Sequence, residues 1–162
     1  MFTLKLSDIS KERGEYVVNP SNTILNLGSG VSGVLKRMCP ELQNVMWEYL
    51  NRNGFLEPGE ITITPYPCKE FDYVIHAAVM DYRDGAKIVM PDLKRIERIC
   101  KNIAEFLDDK KVKVITPLIG TGVGGLDKVE VFKIMRKYFK NLKSEVILVV
   151  HKKEDYEKLI LI

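Results

Sequence analysis

The chain has 162 residues, 46% of them hydrophobic, which suits one domain of ordinary size with a core that needs no disulfide or metal staple. Its 25 basic and 22 acidic residues leave a net charge of +3, too slight an excess to imply a nucleic-acid binder. No apolar run approaches the roughly 18 residues of a membrane span, and the opening MFTLKLSDIS alternates instead of showing the apolar stretch of a signal peptide.

Residues 2–6 alternate apolar and polar, the pattern of a strand. Residues 15–19 (EYVVN) form a second strand around Val17 and Val18, and Pro20, Ser21 and Asn22 open a loop that runs to Gly28, Ser29 and Gly30. Helical spacing follows over 31–50, with Pro40 dividing it into two helices. Residues 60–64 and 73–79 read as the third and fourth strands. A helix over 91–107 carries Leu93, Ile96, Ile99, Cys100 and Ile103 at helical intervals. Residues 112–118 are near-continuously apolar, as in a strand buried on both faces. A glycine-rich loop over 120–125, a helix over 129–142, a strand over 145–150 and a short helix over 154–161 complete the chain. Strands alternating with helices predict a three-layer α/β/α domain with a largely parallel sheet, a single unit over 1–162.

The three cysteines, Cys39, Cys68 and Cys100, are odd in number and far apart. They offer neither zinc-ligand spacing nor a disulfide framework, and read as buried or free thiols in a reducing, cytoplasmic compartment. No metal site is expected.

Two loops carry the chemistry: Gly28-Ser29-Gly30-Val31-Ser32-Gly33 and Gly120-Thr121-Gly122-Val123-Gly124-Gly125. Each lies between a predicted strand and a predicted helix. Without a Cβ, the backbone N–H groups can close on an anion, and the following helix aims its positive end at the same point. Two such loops suit a diphosphate gripped from both sides. Both also match G-x-G-x-x-G, so an NAD(P)-binding Rossmann oxidoreductase is an alternative. A Rossmann turn follows its strand at once, however, whereas residues 20–27 intervene here. Neither loop ends in the Gly-Lys-Ser/Thr of a P-loop. A non-enzymatic interaction domain, its glycines serving only tight turns, is the third reading.

Val17-Val18-Asn19-Pro20-Ser21-Asn22, followed by Leu27-Gly28-Ser29-Gly30-Val31, resembles the macro-domain pattern of Val-Asn-Ala-Ala-Asn and a Gly-Gly-Gly-Val-like loop. Ser7-Asp8-Ile9-Ser10, Tyr73-Val74-Ile75-His76 and Pro117-Leu118-Ile119-Gly120-Thr121-Gly122-Val123-Gly124-Gly125 resemble its other motifs in the same order. The resemblance implies a mixed six-stranded sheet between helices, with ADP-ribose in a cleft at the strand ends and no cofactor. By position, Asp8 accepts from the adenine amino group and Ile9 adds a backbone contact. Asn22 hydrogen-bonds the distal ribose. Gly28, Ser29, Gly30 and Val31, with Ile119, Gly120, Thr121, Gly122, Val123 and Gly124, cradle the phosphates. His151 stands where the family often places an aromatic over the adenine. Asp8 equally suits a helix cap, Asn22 a turn, and His151 a solvated site. Asn19 reads as a loop brace and His76 as a core histidine with its hydrogen bonds satisfied.

The resemblance departs at Ser32, where an Asp-dependent hydrolytic branch carries its acid. Serine is no carboxylate base. The expected activity is therefore binding of ADP-ribose, or of a protein or metabolite that bears it. At most, slow hydrolysis of O-acetyl-ADP-ribose or Glu/Asp-linked ADP-ribose accompanies binding, with Asn22 as the candidate catalytic residue.

Overall fold

Adjacent residues of the middle strand face opposite ways, Val17 into one apolar cluster and Val18 into the other, so this strand needs cover on both sides. The structure, a computed structural model, describes residues 1–28, 30–85 and 87–162. In chain order its elements are β1 (Phe2–Leu6), a 3-10 turn (Ile9–Lys11), β2 (Gly14–Asn22), α1 (Gly30–Met38), α2 (Leu42–Asn53), β3 (Ile61–Pro65), β4 (Phe71–Met80), α3 (Leu93–Leu107), β5 (Lys113–Thr116), α4 (Lys128–Phe139), β6 (Glu145–Val150) and α5 (Lys153–Leu159).

The strands form one six-stranded sheet in the order β1-β6-β5-β2-β4-β3. Neighbours run parallel except β3 and β4, which are antiparallel. Parallel pairing puts the crossover helices on the two faces. Val18, Ile75, Val114 and Leu148 belong to the cluster that includes Ile96, Ile99 and Ile103 of α3, Phe132, Met135 and Phe139 of α4, and Leu159 of α5. Val17, Val74, Ile115 and Val149 belong to the cluster under α1 and α2, with Leu35, Leu42 and Met46. The expected mixed, three-layer α/β/α arrangement is thus present.

Local chemistry sets the boundaries. Asp92 and Asp127 cap α3 and α4, accepting from the amides of Arg95 and Glu130. Pro40 separates α1 from α2, and Gly54 closes α2 at φ 78°. The buried Ile96, Ile99, Cys100, Ile103 and Leu107 make one stripe along α3.

Two expectations are corrected. Pro20, Ser21 and Asn22 continue β2 instead of opening a loop: Pro20 pairs with Ala77 and Ser21 with Ala78, before a register shift at Asn22. Beyond Val17, β2 has no further ladder partner in β5, so Pro20 sits where one flank of the strand is already released, a position that tolerates proline. The second correction is Cys39–Cys68, which form a disulfide with their Cα atoms 6.0 Å apart. Cys39 follows α1, Cys68 lies between β3 and β4, and α2 packs against β3. Tertiary packing joins them across a separation of 29 residues that carries no spacing cue. Cys100 remains a free, buried thiol, and burial raises its pKa.

Candidate functional site

The carboxyl ends of β1, β5 and β6 and the start of α1 surround a cleft of about 560 Å³. This is where an open α/β sheet places ligands, outside the strand ends. β1 delivers Ser7, Asp8 and Ile9 to its wall; β6 delivers Val149, Val150 and His151. The first turn of α1 brings Gly30, Val31 and Val34, and the loop after β5 brings Thr121 and Gly122.

Asp8 caps the 3-10 turn, its Oδ1 accepting from the Ser10 amide at 2.9 Å and the Ser10 hydroxyl at 2.8 Å. Asp8 thus serves as a cap, while its side chain remains exposed at the cleft wall. The Ser10 amide, then the Ser10 hydroxyl, hold the Asp8 carboxyl below its ordinary range against some desolvation, with Lys11 and His151 assisting. Asp8 is thus an ionised acceptor, one oxygen of which has no protein donor among the described residues. Behind it, the buried Glu12 takes the Ser7 hydroxyl at 2.7 Å and the Lys5 ammonium at 3.1 Å. Burial pushes the Glu12 carboxyl up, but those two partners, with the charge of Lys113, outweigh it and leave the net shift downward.

The glycine loops divide by what a side chain would meet. A Cβ on Gly124 would lie 2.5 Å from the Gly120 carbonyl oxygen, and Gly120 itself turns at φ +81°. Those two make the loop's own geometry. Gly30 and Gly122 face open space, with nothing within 4 Å of an added Cβ, and both line the cleft.

Of the residues expected from sequence, Asp8, Ile9, Gly30, Val31, Thr121, Gly122 and His151 come together around this cleft. Ile119 is fully buried, Val123 is exposed, and these two with Gly28, Gly120 and Gly124 lie off the lining. Ser29 lies outside the described residues. Asn22 is buried and spends its amide within its own loop. Its Oδ1 accepts from Ile24 and Asn26 amides at 3.2 and 3.1 Å, and its Nδ2 donates to the Asn26 carbonyl at 2.9 Å. Asn19 and His76 brace the interior, hydrogen-bonded to each other at 3.1 Å.

Sequence reasoning missed Lys128 and Asp155 on the cleft wall. Lys128 Nζ bridges to both Asp155 oxygens at 3.1 and 2.9 Å, tying the start of α4 to α5. Only the tertiary fold brings these two residues, 27 apart in sequence, together, so no local signal could have found the pair.

The Macro domain family model matches residues 18–135. The chain belongs to the Macro domain family. An O-acetyl-ADP-ribose deacetylase 1 of Pantoea vagans is 31% identical over 131 residues, covering 78% of this chain and 73% of that protein. An Aeropyrum pernix relative is 30% identical over 131 residues, an alignment that spans 66% of its length. Among solved structures, a mutant Oceanobacillus iheyensis macrodomain with ADPR superimposes with a TM-score of 0.82 at 26% identity, covering 98% of this chain and 89% of that one. The macro-domain reading of the motifs thus stands at the level of family and fold, and the Rossmann alternative falls with it. No helix among the described residues of this macro domain is long and apolar enough to cross a membrane.

Proposed function

We propose that this macro domain binds ADP-ribose, free or attached to a protein or metabolite, in the cleft at the ends of β1, β5 and β6. One observation carries the reading. The only loop glycines with open space above them that line the cleft, among the described residues, are Gly30 and Gly122, one from each loop. A diphosphate fits between two such stretches of backbone N–H, at the positive end of α1. Asp8 accepts from the adenine amino group with its free oxygen, and Ile9 and His151 flank the base. Gly28, Gly120, Val123 and Gly124 shape the loops, and Asn22 holds the turn between β2 and α1. A direct role for Asn22 at the distal ribose requires it to exchange one of its present bonds. Its proposed setting is the cytoplasm, which cell fractionation tests.

A structure with ADP-ribose bound tests the reading. Adenine within hydrogen-bond reach of Asp8 and phosphates between Gly30 and Gly122 are expected; a ligand lying elsewhere contradicts it.

A second activity is favoured by the Pantoea vagans deacetylase: slow hydrolysis of acyl-linked ADP-ribose. Neither glycine loop carries a carboxylate. A general base typically contributes about 10²–10⁴-fold, so turnover is expected to be slow. Release of ADP-ribose from O-acetyl-ADP-ribose, corrected for spontaneous ester loss, checks this; a rate equal to that background leaves a binding module without catalysis.

A further inference from the structure

Below the first glycine loop, a buried chain of polar side chains crosses the sheet where apolar residues otherwise pack. Thr64 of β3, His76 of β4, Asn19 of β2 and Ser32 of α1 are all buried, His76 and Asn19 completely. Asn19 and His76 are register partners on adjacent strands. They share the face of Val17, Val74 and Ala78, which α1 and α2 cover. The Asn19 amide nitrogen faces His76 Nδ1 at 3.1 Å. An amide nitrogen only donates, so Nδ1 is the acceptor and the ring proton sits on Nε2. Nε2 then donates to Thr64 Oγ1 at 2.7 Å, and the Thr64 hydroxyl in turn donates a hydrogen bond to the Pro65 carbonyl at 3.2 Å. At the other end, the Ser32 hydroxyl donates to Asn19 Oδ1 at 2.8 Å. Every side-chain nitrogen and oxygen named here has a hydrogen-bond partner, the condition under which a buried polar network makes a rigid arrangement.

The network ends on a specific turn. Ser32 stands in the first turn of α1, directly after Gly30 and Val31, which line the cleft. The first N–H groups of a helix have no partner inside it. Where those groups point depends on how the turn is held.

We propose that Ser32, Asn19 and His76 are positioning residues for the ligand's diphosphate, fixing the first turn of α1 so that its amides face the cleft. They touch no ligand themselves. The inference rests on the ADP-ribose reading and adds to it the residues that aim the first loop. Tethering through the Ser32 hydroxyl also accounts for a serine at a position where the sequence resemblance leads one to look for an acid.

The test compares two ligands and one ligand-free measurement. Adenosine reaches only the Asp8 and His151 end, whereas ADP-ribose also uses the loops. Ser32→Ala is expected to weaken ADP-ribose about tenfold while leaving adenosine within twofold. His76→Gln, if it folds, is expected to give the same split. In the free protein, exchange of the amides hydrogen-bonded within α1, residues 34–38, is expected to speed up about tenfold in Ser32→Ala, with α4 unchanged. ADP-ribose affinity within twofold of wild type, or equal weakening of both ligands, overturns the proposal, as does unchanged exchange in α1. Absence of ADP-ribose binding by the wild-type protein instead overturns the functional reading itself, whatever the exchange result.

Discussion

The two glycine loops spell nearly the same pattern and share one tight contact, a Cβ on Gly33 lying 2.9 Å from the Gly28 carbonyl oxygen and one on Gly124 lying 2.5 Å from that of Gly120, yet the rest of their support differs. The first, leading into α1, rests on buried hydrogen bonds from Ser32 through Asn19 and His76 to Thr64. The second, leading into α4, rests on further side-chain packing: a Cβ on Gly124 would also press on Pro91, and one on Gly120 on Ile96 and Leu126. Its helix is capped by Asp127. A motif of glycines therefore states what approaches the loop from outside, and says little about what supports it from inside. Polar support depends on protonation; apolar support depends on volume.

Acid breaks that comparison most strongly. Burial holds His76 neutral, with its pKa lowered to about 3 from an ordinary 6.5. Between those values the unfolded chain binds a proton that the folded chain does not, so stability rises with pH across this window. This contribution is complete above about pH 6.5 and is lost as pH falls toward 3, with a slope of about 1.4 kcal/mol per pH unit. Denaturation at stepped pH measures it, and His76→Gln is expected to remove that component of the slope. An identical slope in the variant places the acid sensitivity elsewhere.

The disulfide comes next. Cys39 begins one residue after α1 ends, so Cys39–Cys68 holds the far end of the helix that the polar network holds at its start. Closing a loop of 29 residues is worth roughly 3–4 kcal/mol in the unfolded state. Reduction, or Cys68→Ser, is expected to lower the denaturation midpoint accordingly; an unmoved midpoint counts against the cross-link.

Smaller effects sharpen the contrast at the cleft. Gly122 has room for a side chain, so Gly122→Glu is expected to fold with an unchanged melting temperature. Its bulk and charge should cut ADP-ribose affinity at least 100-fold, about 2.7 kcal/mol. Gly124→Ala is expected to do the reverse, costing about 1–3 kcal/mol of stability through overpacking. Normal binding by a folded Gly122→Glu protein would remove the second loop from the site. Asp8→Ala is expected to weaken binding by roughly 1.5–3 kcal/mol, the scale of a hydrogen bond to a charged group. A lowered melting temperature with unaltered affinity assigns Asp8 to capping alone.

Much of this was legible because it is local. β1 and β6 follow their alternating and apolar runs to the residue, and the split at Pro40 is a backbone property of proline. Asp8, Gly30 and His151 reach the cleft because each stands just beyond a strand or at the start of a helix, and Gly122 because it lies in the loop that leaves the carboxyl end of β5. What was not legible is what distant packing decides. Pro20, Ser21 and Asn22 carry turn-forming side chains, but pairing with β4 keeps them extended. Cys39 and Cys68, like Lys128 and Asp155, meet only when elements far apart in sequence pack together. Asn22 illustrates the limit within the motif itself: its identity suits a ribose contact, yet its position lets it satisfy three groups of its own loop.

Calorimetric titration of the wild-type protein with ADP-ribose, and separately with NAD, tests the central claim most directly. A cleft lined by Asp8 and by Gly30 and Gly122, one from each glycine loop, predicts one ADP-ribose per chain, bound well above NAD. No heat with ADP-ribose, or NAD bound equally or more tightly, would contradict it.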